Sequence, residues 1–379
     1  MTTPAIRTEQ DALKAWLVSS ALPLWWNAGG DPAGGFHELL SAAAEPVPAK
    51  RRCFTMARQT YVYSVAARFG WDGRIAARHG LDYLLSRYRR DDGLFATAFD
   101  PATGERDDRF DLYDQAFVLF TLAVVAQATT DGGAELMALE TLAALRRGFR
   151  HPHAGFEEAD PPRAPLRANP HMHLFEAALE WLATAPADSQ LWDELADELA
   201  ELCLARFIDP ATGALHEFFD ADWRFAPGDL GRIVEPGHQF EWAWLLARWA
   251  KLRGRPDALA AARRMAYLAE VNGVRSGLAI NELWDDLAVK DEAALLWPQT
   301  ERIKAWVVLA QAAEDEVERQ ACLACVVAAA SGLRRYLSTP VPGLWFKAWS
   351  PMEGFAREPA PARYLYHIVC AIHELLRLG

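Results

Sequence analysis

The sharpest chemical pattern in this chain is His238-x-x-Glu241, entered through Pro236-Gly237. Residues i and i+3 share one face of a helix, so the carboxylate can orient the imidazole and tune its basicity. A second histidine, His367, follows Tyr364 and Tyr366 at the head of another apolar helical stretch. Two imidazoles facing one cavity suit proton transfer, one removing a proton and the other returning it. Four more segments place polar or aromatic groups at the head of an apolar run: Arg58-Gln59-Thr60-Tyr61, Asp111-Leu112-Tyr113-Asp114-Gln115, Asn169-Pro170-His171-Met172-His173 and Trp297-Pro298-Gln299-Thr300-Glu301. A plain core would not carry this much charge and imidazole, because burying such groups unpaired is costly. His79, His151, His153, His216 and His373 fall in outer helices or loops and are expected to be structural.

No essential metal is expected. His171-x-His173 lies on a helix, where i and i+2 point to nearly opposite sides. His151-x-His153 is in a loop, but no carboxylate cluster of metal-site spacing accompanies it. Cys322-x-x-Cys325 has no second pair. Neither G-x-G-x-x-G nor a P-loop is present to cradle a nucleotide phosphate, and no cofactor is expected.

The elements that must position these residues are announced by a repeat. A glycine followed by apolar and then polar residues recurs at Gly35, Gly93, Gly155, Gly213, Gly277 and Gly343, about 60 residues apart. A unit of that length holds two helices and a loop. Helical spacing predicts pairs over 55–69 and 74–88, 111–128 and 134–149, 172–184 and 191–206, 238–251 and 256–270, and 301–314 and 316–337. A last pair joins 363–378 to 11–25. The first of each pair is apolar nearly all round and the second is amphipathic, the signature of an inner and an outer layer. Six such hairpins predict a closed (α/α)6 barrel, a single catalytic domain over residues 1–379, with short strands confined to the glycine loops. The polar heads of the inner helices would then line a funnel at one end, where sites form.

Composition limits the partners. Lys plus Arg total 39 against 51 Asp plus Glu, a net charge of −12 that repels phosphate backbones, so nucleic acid is not expected as a partner. The most apolar stretch, residues 116–126, is too short to cross a bilayer, and the polar start lacks a secretory pattern. Five scattered cysteines argue against a disulfide framework. A soluble, cytoplasmic protein without a membrane partner is expected. The 15 tryptophans either fill a bulky core or, as at Trp25-Trp26 and Trp242-Ala243-Trp244, wall a sugar pocket.

Six ordered motifs resemble the N-acylglucosamine 2-epimerase superfamily: Ala57-Arg58-Gln59-Thr60, Asp111-Leu112-Tyr113-Asp114, Asn169-Pro170-His171-Met172-His173-Leu174-x-Glu176-Ala177, Pro236-Gly237-His238-x-x-Glu241-Trp242, Trp297-Pro298-Gln299-x-Glu301 and Tyr366-His367. The runs 234–242 and 362–369 look most like the mannose isomerase and sulfoquinovose isomerase branch. The resemblance implies metal-independent proton transfer next to the carbonyl of a monosaccharide. His367 would abstract the C2 proton, and His238, steadied by Glu241, would deliver or take a proton on the other side. Arg58 would stabilise the cis-enediolate, His173 would assist ring opening or hold a hydroxyl, and Tyr113, Asn169, Trp297 and Glu301 would bind the sugar. Mannose to fructose interconversion is the expectation, with lyxose to xylulose beside it. A 2-epimerase is the alternative. More distant ones are a glycoside hydrolase using paired carboxylates among Glu158, Glu217, Glu241 and Glu301, and a sugar-binding toroid without turnover. An anionic C6 group would need extra cations at the mouth, for which Arg232 and Lys347 are candidates.

Overall fold

Helices with no polar face can only be stable when neighbours cover every side, and this sequence supplies such helices alternately with amphipathic ones. The computed structural model describes residues 3–128 and 132–378, so the ends of the domain expected over 1–379 lie outside the described residues. Its helices are α1 (Pro4–Trp16), α2 (Leu22–Asn27), α3 (Cys53–Val65), α4 (Arg74–Tyr88), α5 (Leu112–Ala128), α6 (Gly133–Gly148) and α7 (Ala168–Ala183). They continue with α8 (Ser189–Leu202), α9 (Pro236–Arg253), α10 (Pro256–Gly273), α11 (Trp297–Gln311), α12 (Glu316–Leu337) and α13 (Tyr364–Leu376). Helices α3, α5, α7, α9, α11 and α13 each touch the next, and α13 returns to α3. Outside them, α4, α6, α8, α10 and α12 pack on the inner helix that precedes each, and α1 packs on α13 and α12. This is the expected (α/α)6 barrel. Its core is a large cluster of buried side chains running from Ile6 to Leu375, with a small satellite of Ala214, Val234, Ile280 and Leu283.

Burial follows the sequence pattern. In α5 every residue from Leu112 to Val125 except Tyr113 is buried. In α4 only Ala76, Gly80, Tyr83, Leu84 and Tyr88 are, a single helical stripe. Most tryptophans belong to this packing. Trp181 on α7 stacks on Trp192 of α8 at 5.0 Å, and Trp25 stacks on Trp345 at 4.6 Å.

Two devices fix where the inner helices begin. Short strands launch them: residues 51–52 lead into α3, 166–167 into α7, 233–234 into α9, 294–295 towards α11 and 360–361 towards α13, each paired with a strand of another loop. The second device accounts for the repeat. All six repeat glycines have positive φ, from 72° at Gly35 to 98° at Gly343, a conformation that glycine adopts without strain. The first five of these turns each point a backbone N–H at the neighbouring inner helix. Phe95 N–H donates to Gln115 (2.9 Å), Leu215 to Gln239 (2.9 Å) and Ala279 to Gln299 (2.8 Å). Phe156 donates to His171 Nε2 (3.1 Å) and Phe36 to Met56 Sδ (3.4 Å). A buried N–H left without such an acceptor would cost about 1–3 kcal/mol.

Boundaries shift where proline sits. The first helix begins at Pro4 instead of residue 11, with the Thr3 hydroxyl accepting from Ile6 N–H, and a π-helical turn at Leu17–Ala21 divides it from α2. Helices α7 and α11 each start four residues earlier than the periodicity predicts. Pro170 and Pro298 lie in their first turns, where a missing N–H costs nothing.

Candidate active site

The heads of all six inner helices meet around one cavity of about 300 Å³, at the small end of small-molecule sites. Their positive dipole ends converge there, an environment that favours an anion. Of the nine residues singled out from the sequence, eight line it: Arg58, Tyr113, Asn169, His173, His238, Glu241, Trp297 and His367. Glu301 is buried behind them and touches His367.

Three imidazoles are each held at Nδ1 by a carboxylate: His173 by Glu176 (3.0 Å), His238 by Glu217 (2.8 Å) and His367 by Glu301 (2.8 Å). An Nδ1–H donated to a carboxylate locks ring and tautomer and leaves Nε2 for chemistry. The surroundings then separate the three. Burial lowers His238, but Glu217 and Glu235 (3.4 Å) outweigh it and hold the ring up at about 10, so it is an imidazolium at neutral pH. Burial, reinforced by Arg58 and Lys304, holds His367 well below its ordinary value, so it is neutral. His173 is also lowered, again by burial. The indole of Trp297 stands against both end members, 4.9 Å from His238 and 5.9 Å from His367 between ring centroids. A charged and a neutral imidazole therefore share one cavity wall, an arrangement that suits proton transfer.

Arg58 is a buried cation beside them. Its guanidinium is 2% exposed, lies 3.9 Å from the Phe117 ring centroid and donates to the Tyr113 hydroxyl at 2.6 Å. Its Nε has no partner, and among the described residues no carboxylate pairs with it. A desolvated cation without a counter-ion, at the meeting point of six helix heads, is placed for negative charge that develops during a reaction.

Several expectations need correction. Glu241 does not steady His238, despite the i, i+3 spacing; Glu217 does, from the loop after Gly213. Glu241 faces Lys304 at 3.6 Å, and burial followed by repulsion from Glu301 pushes it up to about 7. Glu301 holds His367 in place of contacting a ligand. The repeat carries the signal for Glu217: its counterparts Glu38 and Glu158 pair with Arg52 and Arg167 just ahead of α3 and α7. In the fourth unit His238 takes the part of that arginine. Of the tryptophans proposed as sugar walls, none lines this cavity, and Trp297 does. His171 and His173 diverge as their spacing predicts, His171 turning to the Gly155 loop as a structural tie.

Among the described residues, ligand-type atoms gather in three places: His173, Glu176 and Glu241; Glu217, Glu235 and His238; and Glu241, Glu301 and His367. Two of them already hold a cation of the protein. Lys304 lies against Glu301 and Glu241, and imidazolium His238 sits between Glu217 and Glu235. In the first group Nδ1 of His173 is spent on Glu176.

The profile of the N-acylglucosamine 2-epimerase family matches residues 34–371. The chain belongs to that family. It is 45% identical over 379 residues to the mannose-6-phosphate isomerase of Rhizobium meliloti (strain 1021), covering 98% of this chain and 97% of that one. It is 30% identical over 337 residues to the D-mannose isomerase of Thermobifida fusca, covering 82% and 81%. A crystal structure of a D-mannose isomerase superposes over the full length of both chains with a TM-score of 0.87 at 20% identity. Family and relatives mark the chain as an enzyme of the sugar isomerase and epimerase kind. Among the described residues, no helix is long and apolar enough to cross a membrane.

Proposed function

We propose that this enzyme interconverts D-mannose and D-fructose, and secondarily D-lyxose and D-xylulose, by metal-independent proton transfer through a cis-enediolate. The observation that carries the reading is the pair of imidazoles beside Trp297, one neutral and one charged, with Arg58 uncompensated next to them. Neutral His367 takes the C2 proton of the open-chain aldose through Nε2. The electrons move into the carbonyl, and Arg58 with the helix heads stabilises the enediolate oxygens. Imidazolium His238 gives a proton to O1 and takes back the one on O2, and return of a proton from His367 to C1 completes the ketose. Return to the opposite face of C2 would instead give the epimer. His173 and Asn169 remain to hold hydroxyls or assist ring opening. Five free thiols suit a reducing compartment, and we place the enzyme in the cytoplasm. The acidic surface leaves a monosaccharide as its partner, without nucleic acid.

A C6-phosphorylated substrate is the second reading, favoured by Arg363. This guanidinium lines the cavity beside Arg58, and among the described residues it has no carboxylate partner. The cations first considered for that role are spent elsewhere, Arg232 on Asp285 and Lys347 on Glu358. Proton NMR of the EDTA-treated enzyme in D2O, with mannose and mannose 6-phosphate supplied together, tests both readings. Fructose with deuterium at C1 supports the first, and prior consumption of the phosphate ester supports the second. Glucose deuterated at C2 would make the enzyme an epimerase, and loss of turnover on chelation would refute metal independence.

A further inference from the structure

Lys304 is a cation in the middle of the barrel that the reaction above leaves unused. It is fully buried, and it does not line the sugar cavity. Its ammonium lies against Glu301 one helical turn earlier, 3.6 Å from Glu241 Oε1 and 3.8 Å from the Trp244 ring centroid. The other oxygen of Glu301 accepts from His367 Nδ1 at 2.8 Å. A line of contacts therefore runs from Lys304 through Glu301 to the imidazole that faces the sugar. The groups bearing on Lys304 are Glu301 on its own helix, Glu241 on α9, Glu176 on α7 and Cys370 on α13. Three buried carboxylates thus share this lysine, while His173 engages Glu176 as well.

We propose that Lys304 is a positioning residue that keeps Glu301 ionised and so fixes His367 as the tautomer whose Nε2 lone pair faces the substrate. The inference rests on His367 being the base. Without the ammonium, Glu301 and Glu241 stand together in a dry interior, where two like charges cannot both persist. A Glu301 that has gained a proton has an O–H to donate, and Nδ1 of His367 becomes its acceptor. The ring proton then sits on Nε2, which can no longer take a proton from carbon. The ring stays in place while the base is lost.

The test compares wild type with Lys304→Met, an apolar side chain of similar length. Nitrogen-edited NMR of the full-length protein reads the His367 tautomer, and kcat and KM are followed from pH 5 to 10. Wild type is expected to carry the proton on Nδ1. K304M is expected to carry it on Nε2, to lose kcat about 100-fold, the lower range for a general base, with little change in KM, and to recover partly at high pH as Glu301 ionises. A wild-type ring protonated at Nε2 overturns the proposal without any variant, which covers the case that K304M does not fold. So does a folded K304M with an unchanged tautomer and an unshifted acid limb. Activity retained in His367→Ala would instead defeat the assignment of the base, so the two failures are distinct.

Discussion

Replacing Glu217 by glutamine removes one negative charge 2.8 Å from His238 and little else, since the amide oxygen can still accept from Nδ1. In the intact site His238 is held at about 10 because Glu217 and Glu235 outweigh burial. The variant keeps the burial, which lowers the ring, and loses its largest opposing partner. Glu235 remains at 3.4 Å, but burial has already pushed that carboxyl up to about 7. His238 is then expected to change from an imidazolium to a neutral ring within the working pH range. A hydrogen bond to a charged group is worth about 1.5–3 kcal/mol. That corresponds to about 10- to 150-fold in the step that needs the acid. The assay is kcat/KM for mannose from pH 5 to 10.5: the alkaline limb lies near 10 in wild type and moves down to the neutral region in E217Q. Stability carries the same sign. The folded ring binds its proton more tightly than the unfolded one, so its contribution is full below the ordinary value of 6.5 and disappears as pH rises through about 10. The wild-type melting temperature should fall across that window more steeply than that of E217Q. An E217Q enzyme with an unmoved alkaline limb and an undiminished rate would refute the division into acid and base.

Arg58→Met should lower kcat by about 100- to 1,000-fold, the scale for removing one stabilising donor, while the melting temperature holds or rises, because a buried cation without a counter-ion is relieved; a melting temperature several degrees lower would show that Arg58 is structural. His171→Gln should keep activity and stability, since glutamine fills the same position opposite Phe95, Leu215 and Ala279, whereas His173→Gln should abolish most turnover with the fold intact. Equal losses in both would remove the distinction between tie and site. Gly155→Ala places a Cβ 2.8 Å from the His171 ring at a φ of +73°, and should cost more than about 1 kcal/mol in chemical denaturation; a neutral result would mean that the loop is not latched as described.

Much of the barrel was legible because its two layers obey different hydrophobic patterns and its six turns each need a residue that tolerates positive φ. The cavity residues were legible because polar groups at the heads of apolar helices are too costly to bury unless they face a site or a buried partner. What escaped was partnership between segments distant in sequence. The spacing of His238 and Glu241 offered a local partner, and the true one lies 21 residues away in a loop. Glu301 looked like a ligand contact because a carboxylate in a motif gives no sign of which way it faces. Gln115, His171 and Gln299 looked like funnel chemistry, yet they, like Gln239, satisfy backbone N–H groups that only the folded turn creates. The starts of α7 and α11 escaped as well: periodicity begins them at 172 and 301, while Pro170 and Pro298 sit inside the first turn.

The ring closes between the first helix and the last. Gln10 on α1 donates to the carbonyls of Leu375 (2.8 Å) and Leu378 (2.9 Å), and α1 packs on both α12 and α13. His367 rides on that last helix, so the seam of the barrel and the proposed base arrive together. A chain leaving the ribosome carries Arg58, His173 and His238 long before it can carry out a proton transfer, and no partial barrel holds a complete set. Turnover in this architecture doubles as a report of closure: whatever pries α1 from α13 should silence the enzyme before it melts the other five hairpins.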